Sequence, residues 1–231
     1  MAATSEGVGT LRSRAEARLR AAILNGRFQA GERLVEQSLC DFLGVSRSVL
    51  RECLAQLEAR GLVESAPFRG FRVVDLGVHT ICEIFELRAI LEVSAVELFA
   101  ERANEEEIEA LGAAMAVIAE SYRTADPAAM IAAKDQYFQL IIRGTRNTEL
   151  ARALELVRDR IDMLRARLLA KKRRRKHSLA EMEALTEALS RRDRIAARLA
   201  TRNHLERART ELLGMIEARR LGSEEATETG P

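Results

Sequence analysis

Apolar and polar positions follow two rhythms along this 231-residue chain, and the rhythm changes near residue 76. In the first part the helical segments are short. Arg14 to Leu24 has helical spacing and stops at Asn25-Gly26. Leu34 to Leu43 places Val35, Leu39, Phe42 and Leu43 for a second short helix ending before Gly44. Ser46 can then cap the free amides of a third helix, in which Leu50, Cys53, Leu54 and Leu57 face a core. Gly61 suits the left-handed position that ends it. Leu62–Ser65 and Phe71–Val74 read as strands, joined by Ala66-Pro67-Phe68-Arg69-Gly70 with hairpin-turn chemistry. Three helices and a basic-tipped hairpin predict a winged helix-turn-helix.

Beyond a hinge at Asp75-Leu76-Gly77-Val78 the pattern is helical to the end. The first helix spans about Thr80 to Arg102. Asn104 with Glu107 forms a capping box for a second, and Asp126-Pro127 opens a third that ends at Gly144. Asn147 caps a fourth, through about Leu169. Ser178 with Glu181 has the capping-box pattern again, and a last helix spans about Arg194 to Arg220. The fold class is mostly α: a winged helix-turn-helix over residues 10–76, then an all-α bundle over 77–221, with disordered ends at 1–9 and 222–231.

Candidate chemistry concentrates at the third helix. Arg47, Ser48 and Arg51 lie off its apolar face, near its N-terminus, where donors reach base edges and phosphates when a helix enters a major groove. Arg69 at the hairpin tip would meet phosphates or the minor groove, and Gly70 lets the backbone come close. Total charge adds little to this picture. The chain carries +2, and residues 1–76 hold 11 Arg against 9 acidic residues, so the case for DNA rests on placement. The run Lys171 to Lys176 reads as a solvated stretch between helices and receives no role. There is no apolar run that would span a bilayer and no signal-peptide pattern. Cys40, Cys53 and Cys82, an odd number without a close pair, fit a reducing cytoplasm.

Residues 12–76 resemble the DNA-binding domain of the GntR family of bacterial transcription regulators. The resemblance is carried by Ile23, Gly26, Gly31, Leu34, Glu36, Leu39, Gly44-Val45-Ser46-Arg47, Arg51-Glu52, Leu54, Leu57, Gly61-Leu62-Val63 and Gly70. Val49 stands where the family usually has proline, and Cys53 where it has alanine; neither change removes a donor. The resemblance implies that Ser46, Arg47, Ser48, Arg51, Arg69 and Gly70 occupy DNA-contacting places, with Gln37 on the preceding helix as a further contact.

Residues 80–218 resemble the FCD effector-binding module of the FadR-type branch of that family. The matching motifs are Glu86-Leu87-Arg88 with Leu91-Glu92, Asp135-Gln136-Tyr137-Phe138, Asn147 with Leu150, and the segment around Asp193, Ala197 and His204. In many members an aspartate and three histidines hold a divalent metal that, with an arginine, grips a small organic acid. Here Asp135 and His204 keep their places, but Gln139 and Met182 replace two histidines. An amide and a thioether are poor ligands for Zn²⁺ or a similar ion, so tight metal binding is not expected. Three readings remain open. Asp135 and His204 hold a degenerate metal site; Asp135, Gln139 and His204 form a hydrogen-bonded network with Met182 as filling; or a metal-free cavity binds an anion through Arg88, Gln139 and His204. The last is preferred, with a salt bridge to Glu92 as the alternative role of Arg88.

The sequence thus predicts a cytoplasmic, ligand-responsive transcription regulator, a repressor in most of this family. A homodimer would bind double-stranded DNA at an inverted-repeat operator, with a small carboxylate or sugar acid as effector. The competing readings are a constitutive regulator with a decayed effector site, and a metal-dependent enzyme on Asp135 and His204. The enzyme reading lacks an evident nucleophile, a general base and a full ligand set.

Overall fold

The fold is given by a computed structural model that describes residues 11–66 and 70–228, with side chains through residue 218. The chain divides at Leu76–Gly77 into two compact units.

The first unit contains α1 (Leu11–Leu24), β1 (Arg33–Leu34), α2 (Glu36–Leu43), α3 (Arg47–Ala59), β2 (Val63–Ala66) and β3 (Gly70–Val73). Leu19, Leu39, Leu50, Leu54, Leu57 and Leu62 are completely enclosed and hold the helices together. The α2–α3 turn forms because Gly44 takes φ 70°, in the left-handed region that a side chain would strain. The strands form an antiparallel sheet in the order β1-β3-β2, with Val63 opposite Val73 and Ala66 opposite Gly70. The two-residue β1 had no signal of its own; it exists because Arg33 and Leu34 pair with Arg72 and Phe71 of β3.

The second unit is helical throughout its described residues: α4 (Val78–Arg102), α5 (Glu105–Thr124), α6 (Pro127–Gly144), α7 (Thr148–Leu169), α8 (Lys172–Ser190) and α9 (Arg194–Glu228). The Asn104–Glu107 capping box is complete, and Asp126 and Asn147 accept the amides of Ala128 and Leu150. Val96, Phe99, Leu111, Ile118, Tyr137, Ile141 and Leu189 form the core. Gly144 is required there: a Cβ on it would lie 2.7 Å from Phe99 Cε2.

Three expectations fail. The basic run is not a linker, because α8 begins at Lys172 and includes it. Ser178 and Glu181 therefore cap nothing; both are buried in mid-helix. Residues 222–228, expected to be disordered, continue α9. In each case local polarity imitated a break, while the ladder of helix hydrogen bonds ran through it. The expectation for residues 1–9 lies outside the described residues.

Candidate nucleic-acid interface and ligand cavity

α3 starts at Ser46, whose Oγ accepts the Val49 amide at 3.5 Å and lies 3.0 Å from Ser48 Oγ. Because Leu50, Cys53, Leu54 and Leu57 bury one face, Arg47, Ser48 and Arg51 stand exposed on another. α2 supports both arginines. Arg47 Nη2 donates to Gln37 Oε1 at 3.0 Å, and Arg51 donates to Glu36 through Nε at 3.2 Å and Nη2 at 3.3 Å. Gln37 is itself tied to Asp41. Gly70 opens β3 at φ 75° with nothing near the place of a side chain. Arg72, one pleat along, pairs with Glu64 at 2.7 Å. Arg69 lies outside the described residues. The structure thus brings Gln37, Ser46, Arg47, Ser48 and Arg51 onto one surface, and it adds Glu36, which the sequence reading named only for family resemblance.

The helical unit buries an unusual amount of charge. Arg88, Lys134, Arg165 and Arg174 are enclosed together with Glu92, Asp162 and Glu181. Arg88 donates to Glu92 at 2.8 Å, the salt-bridge alternative. Arg174 donates to both oxygens of Glu181, at 3.0 and 2.8 Å. His204 Nδ1 donates to Glu181 at 2.6 Å, which places its proton there and leaves the Nε2 lone pair facing Lys134 Nζ at 3.5 Å. Lys134 donates further to Ser178 Oγ at 3.3 Å, which is 3.0 Å from the Tyr122 hydroxyl. Burial, aided by the Lys134 charge, pushes the His204 pKa down to about 3. Burial by itself would raise Glu181, but hydrogen bonds from His204 and Arg174 outweigh it and hold the carboxyl at about 2. Burial, then Arg165, Arg174 and Arg88, drive the Lys134 amine well below the ordinary lysine value.

A small cavity of about 30 Å³ lies beside this cluster, room for a water or two. Glu92, Asp135, Gln139, Glu155, Arg158 and Arg165 supply its polar lining. Glu92 Oε2, Arg158 Nε and Arg165 Nε are buried without a hydrogen-bond partner, a costly condition that a ligand or ordered water relieves. Of the sequence candidates, Asp135 and Gln139 line the cavity; Arg88, Met182 and His204 are not among its lining residues. Met182 sits in the apolar core. Asp135 is ion-paired with Arg158. The missed residues had signals: Lys134 falls in register with Met130, Tyr137 and Ile141 on the apolar stripe of α6, and it is one of only four lysines.

Comparison with known proteins bears on both units. Residues 11–73 match the model of the bacterial regulatory proteins of the gntR family, and residues 83–207 match the FCD domain. The chain is 30% identical over 190 residues to the HTH-type transcriptional regulator YdhC of Bacillus subtilis, covering 80% of this chain and 85% of that protein. It is 28% identical over 218 residues to the Uxu operon transcriptional regulator of Escherichia coli, covering 85% and 84%. The solved structure of E. coli McbR/YncC shares the fold, with a TM-score of 0.78 at 20% identity, over 90% of this chain and 100% of that one. Among the described residues no helix is long and apolar enough to cross a membrane.

Proposed function

The chain belongs to the gntR family of bacterial regulatory proteins and carries an FCD domain, and from that premise we propose a ligand-responsive repressor that binds an inverted-repeat operator as a homodimer. That it is a DNA-binding transcriptional regulator of this type follows from family membership; the residue roles, the dimer, the operator and the effector are the proposal.

The observation that carries it is the exposed surface of α3, where Ser46, Arg47, Ser48 and Arg51 are collected at a capped helix start beside Gln37. Arg47 and Arg51 read base edges in a major groove; Ser46, Ser48 and Gln37 set the register on phosphates; Arg69 and Gly70 extend the contact from the wing. An arginine that is bidentate to guanine gives about 1–3 kcal/mol of discrimination. Exposed apolar side chains on two packed helices, Leu87 and Ile90 of α4 and Ile195 and Leu199 of α9, support association of two copies.

The effector is a small carboxylate or sugar acid, bound where α4, α6 and α7 meet, through Gln139, Arg158 and Arg165; the helices part to admit it, because the cavity as it stands has room only for water. The orphaned Arg158 and Arg165 Nε groups support an anionic end there, and the orphaned Glu92 Oε2 a donor such as a hydroxyl. Binding acts on operator affinity by favouring one of two arrangements of the protein.

Selection of duplexes from a randomised library tests this reading. Wild type is expected to enrich an inverted repeat, and Arg47→Ala to lose that preference with its helical circular dichroism intact. An unchanged preference in Arg47→Ala would remove α3 as the reading surface.

A further inference from the structure

The FCD resemblance implies an aspartate and three imidazoles around a divalent metal, and the side chains in those four places do not suit one. The Asp135 carboxylate is ion-paired with Arg158. Gln139 offers only an amide, and the Met182 thioether is packed in the apolar core. His204 has both nitrogens engaged: Nδ1 by Glu181 at 2.6 Å and Nε2 by the Lys134 amine at 3.5 Å. A zinc-like ion would need to approach Nε2 to about 2.1 Å. The Lys134 amine stands in that approach, anchored on its other side by Ser178.

The buried carboxylates nearby are already committed to cations: Glu92 to Arg88, Asp162 to Arg165 and Glu181 to Arg174. Arg165, Arg174 and Arg88 all bear on the Lys134 amine, and guanidinium groups keep their charge at any working pH. Glu181, the nearest spare carboxylate, is saturated by two bonds from Arg174 and one from His204. Among the described residues no group of three or more His, Cys, Asp or Glu is disposed to hold a metal ion.

We infer that the hydrogen-bonded Lys134–His204 pair, with Glu181 and Arg174 against the other nitrogen of the imidazole, stands in place of a divalent-metal centre, so that this regulator senses its ligand without a metal. This rests on the reading of the helical unit as an effector-binding domain, since only that reading creates the expectation of a metal. Lys134 acts as a plug and a positioning residue. It fixes the imidazole from one side while Glu181 fixes it from the other. At the cavity the groups left to meet a ligand's carboxylate are the unpartnered Nε atoms of Arg158 and Arg165.

The test reads metal directly, apart from DNA or effector. Full-length protein purified without a metal-affinity step is assayed for bound metal by elemental analysis. Its melting midpoint is then measured with a chelator, with Zn²⁺ and with Ni²⁺. The expected result is substoichiometric metal and an unmoved midpoint. The variant Lys134→Ala/Gln139→His/Met182→His removes the plug and restores imidazoles; it is expected to take up one ion per chain and melt several degrees higher when loaded. Lys134→Met with the same two histidines retains side-chain bulk and should take up less. One firmly bound ion per wild-type chain, with a midpoint that falls on chelation, would overturn the inference. So would a folded Lys134→Ala/Gln139→His/Met182→His variant that binds no metal. Absence of any operator preference in the wild-type protein would count against the proposed function and leave the metal result standing.

Discussion

Arg174→Met separates the structural part of the basic run from its solvated part. Arg174 is 2% exposed, and it gives two hydrogen bonds to Glu181, at 3.0 and 2.8 Å, while Lys172 and Arg173 beside it are exposed. Methionine roughly retains the length of the side chain, so the loss is electrostatic rather than a cavity. Removing one partner of a buried ion pair costs about 3–5 kcal/mol, and the low end applies here because Glu181 keeps its hydrogen bond from His204. Arg173→Met should stay within about 0.5 kcal/mol of wild type, as exposed substitutions do. The assay is the urea-unfolding midpoint by circular dichroism, a signal dominated by the helical unit. Pairing the change with Glu181→Met should recover most of the loss, since an apolar pair of similar volume is tolerated where a lone carboxylate is not. If Arg174→Met and Arg173→Met unfold at the same urea concentration, the buried pair contributes nothing and α8 is held by its apolar face alone.

Other outcomes follow from the same coordinates. His204 has a folded pKa of about 3 against an ordinary value of 6.5, so the folded protein takes up its proton later than the unfolded chain. The stability tied to it is complete above 6.5 and drains as pH falls toward 3, at about 1.4 kcal/mol per unit; Glu181 adds loss below 4.5. Melting midpoints that are flat from pH 7 to 5 would contradict this. Gly144→Ala drives a methyl against Phe99 and should cost about 1–3 kcal/mol by urea unfolding, in spite of alanine's better helix propensity. Ser46→Ala removes the cap of α3 and should cost about 0.5–1 kcal/mol, the low end fitting its long 3.5 Å bond, with some loss of DNA affinity in a gel shift.

What could be read from the sequence was local. Ser46, Asn104 with Glu107, Asp126-Pro127 and Asn147 each satisfy amides within a few residues of themselves, so their signals survive without a fold. β1 could not be foreseen, because two residues become a strand only when β3 lies alongside. The charged cluster was hidden for a related reason. Arg174 meets Glu181 seven residues on, but Lys134 meets Ser178 and His204 from distant helices. The Ser178–Glu181 spacing copied a cap while both side chains were occupied with tertiary partners, Tyr122 and His204. At the cavity, Asp135 and Gln139 are singled out by the family resemblance, whereas Arg158 and Arg165 arrive from α7, which sequence spacing does not relate to α6.

The bonds from Arg47 to Gln37 and from Arg51 to Glu36 set terms for any duplex that replaces them. Each arginine must find a better acceptor than the one it abandons. Under the proposed reading, a mismatched base that offers less than Glu36 would leave Arg51 at home, and the carboxylate would act as a built-in competitor that penalises wrong sequences.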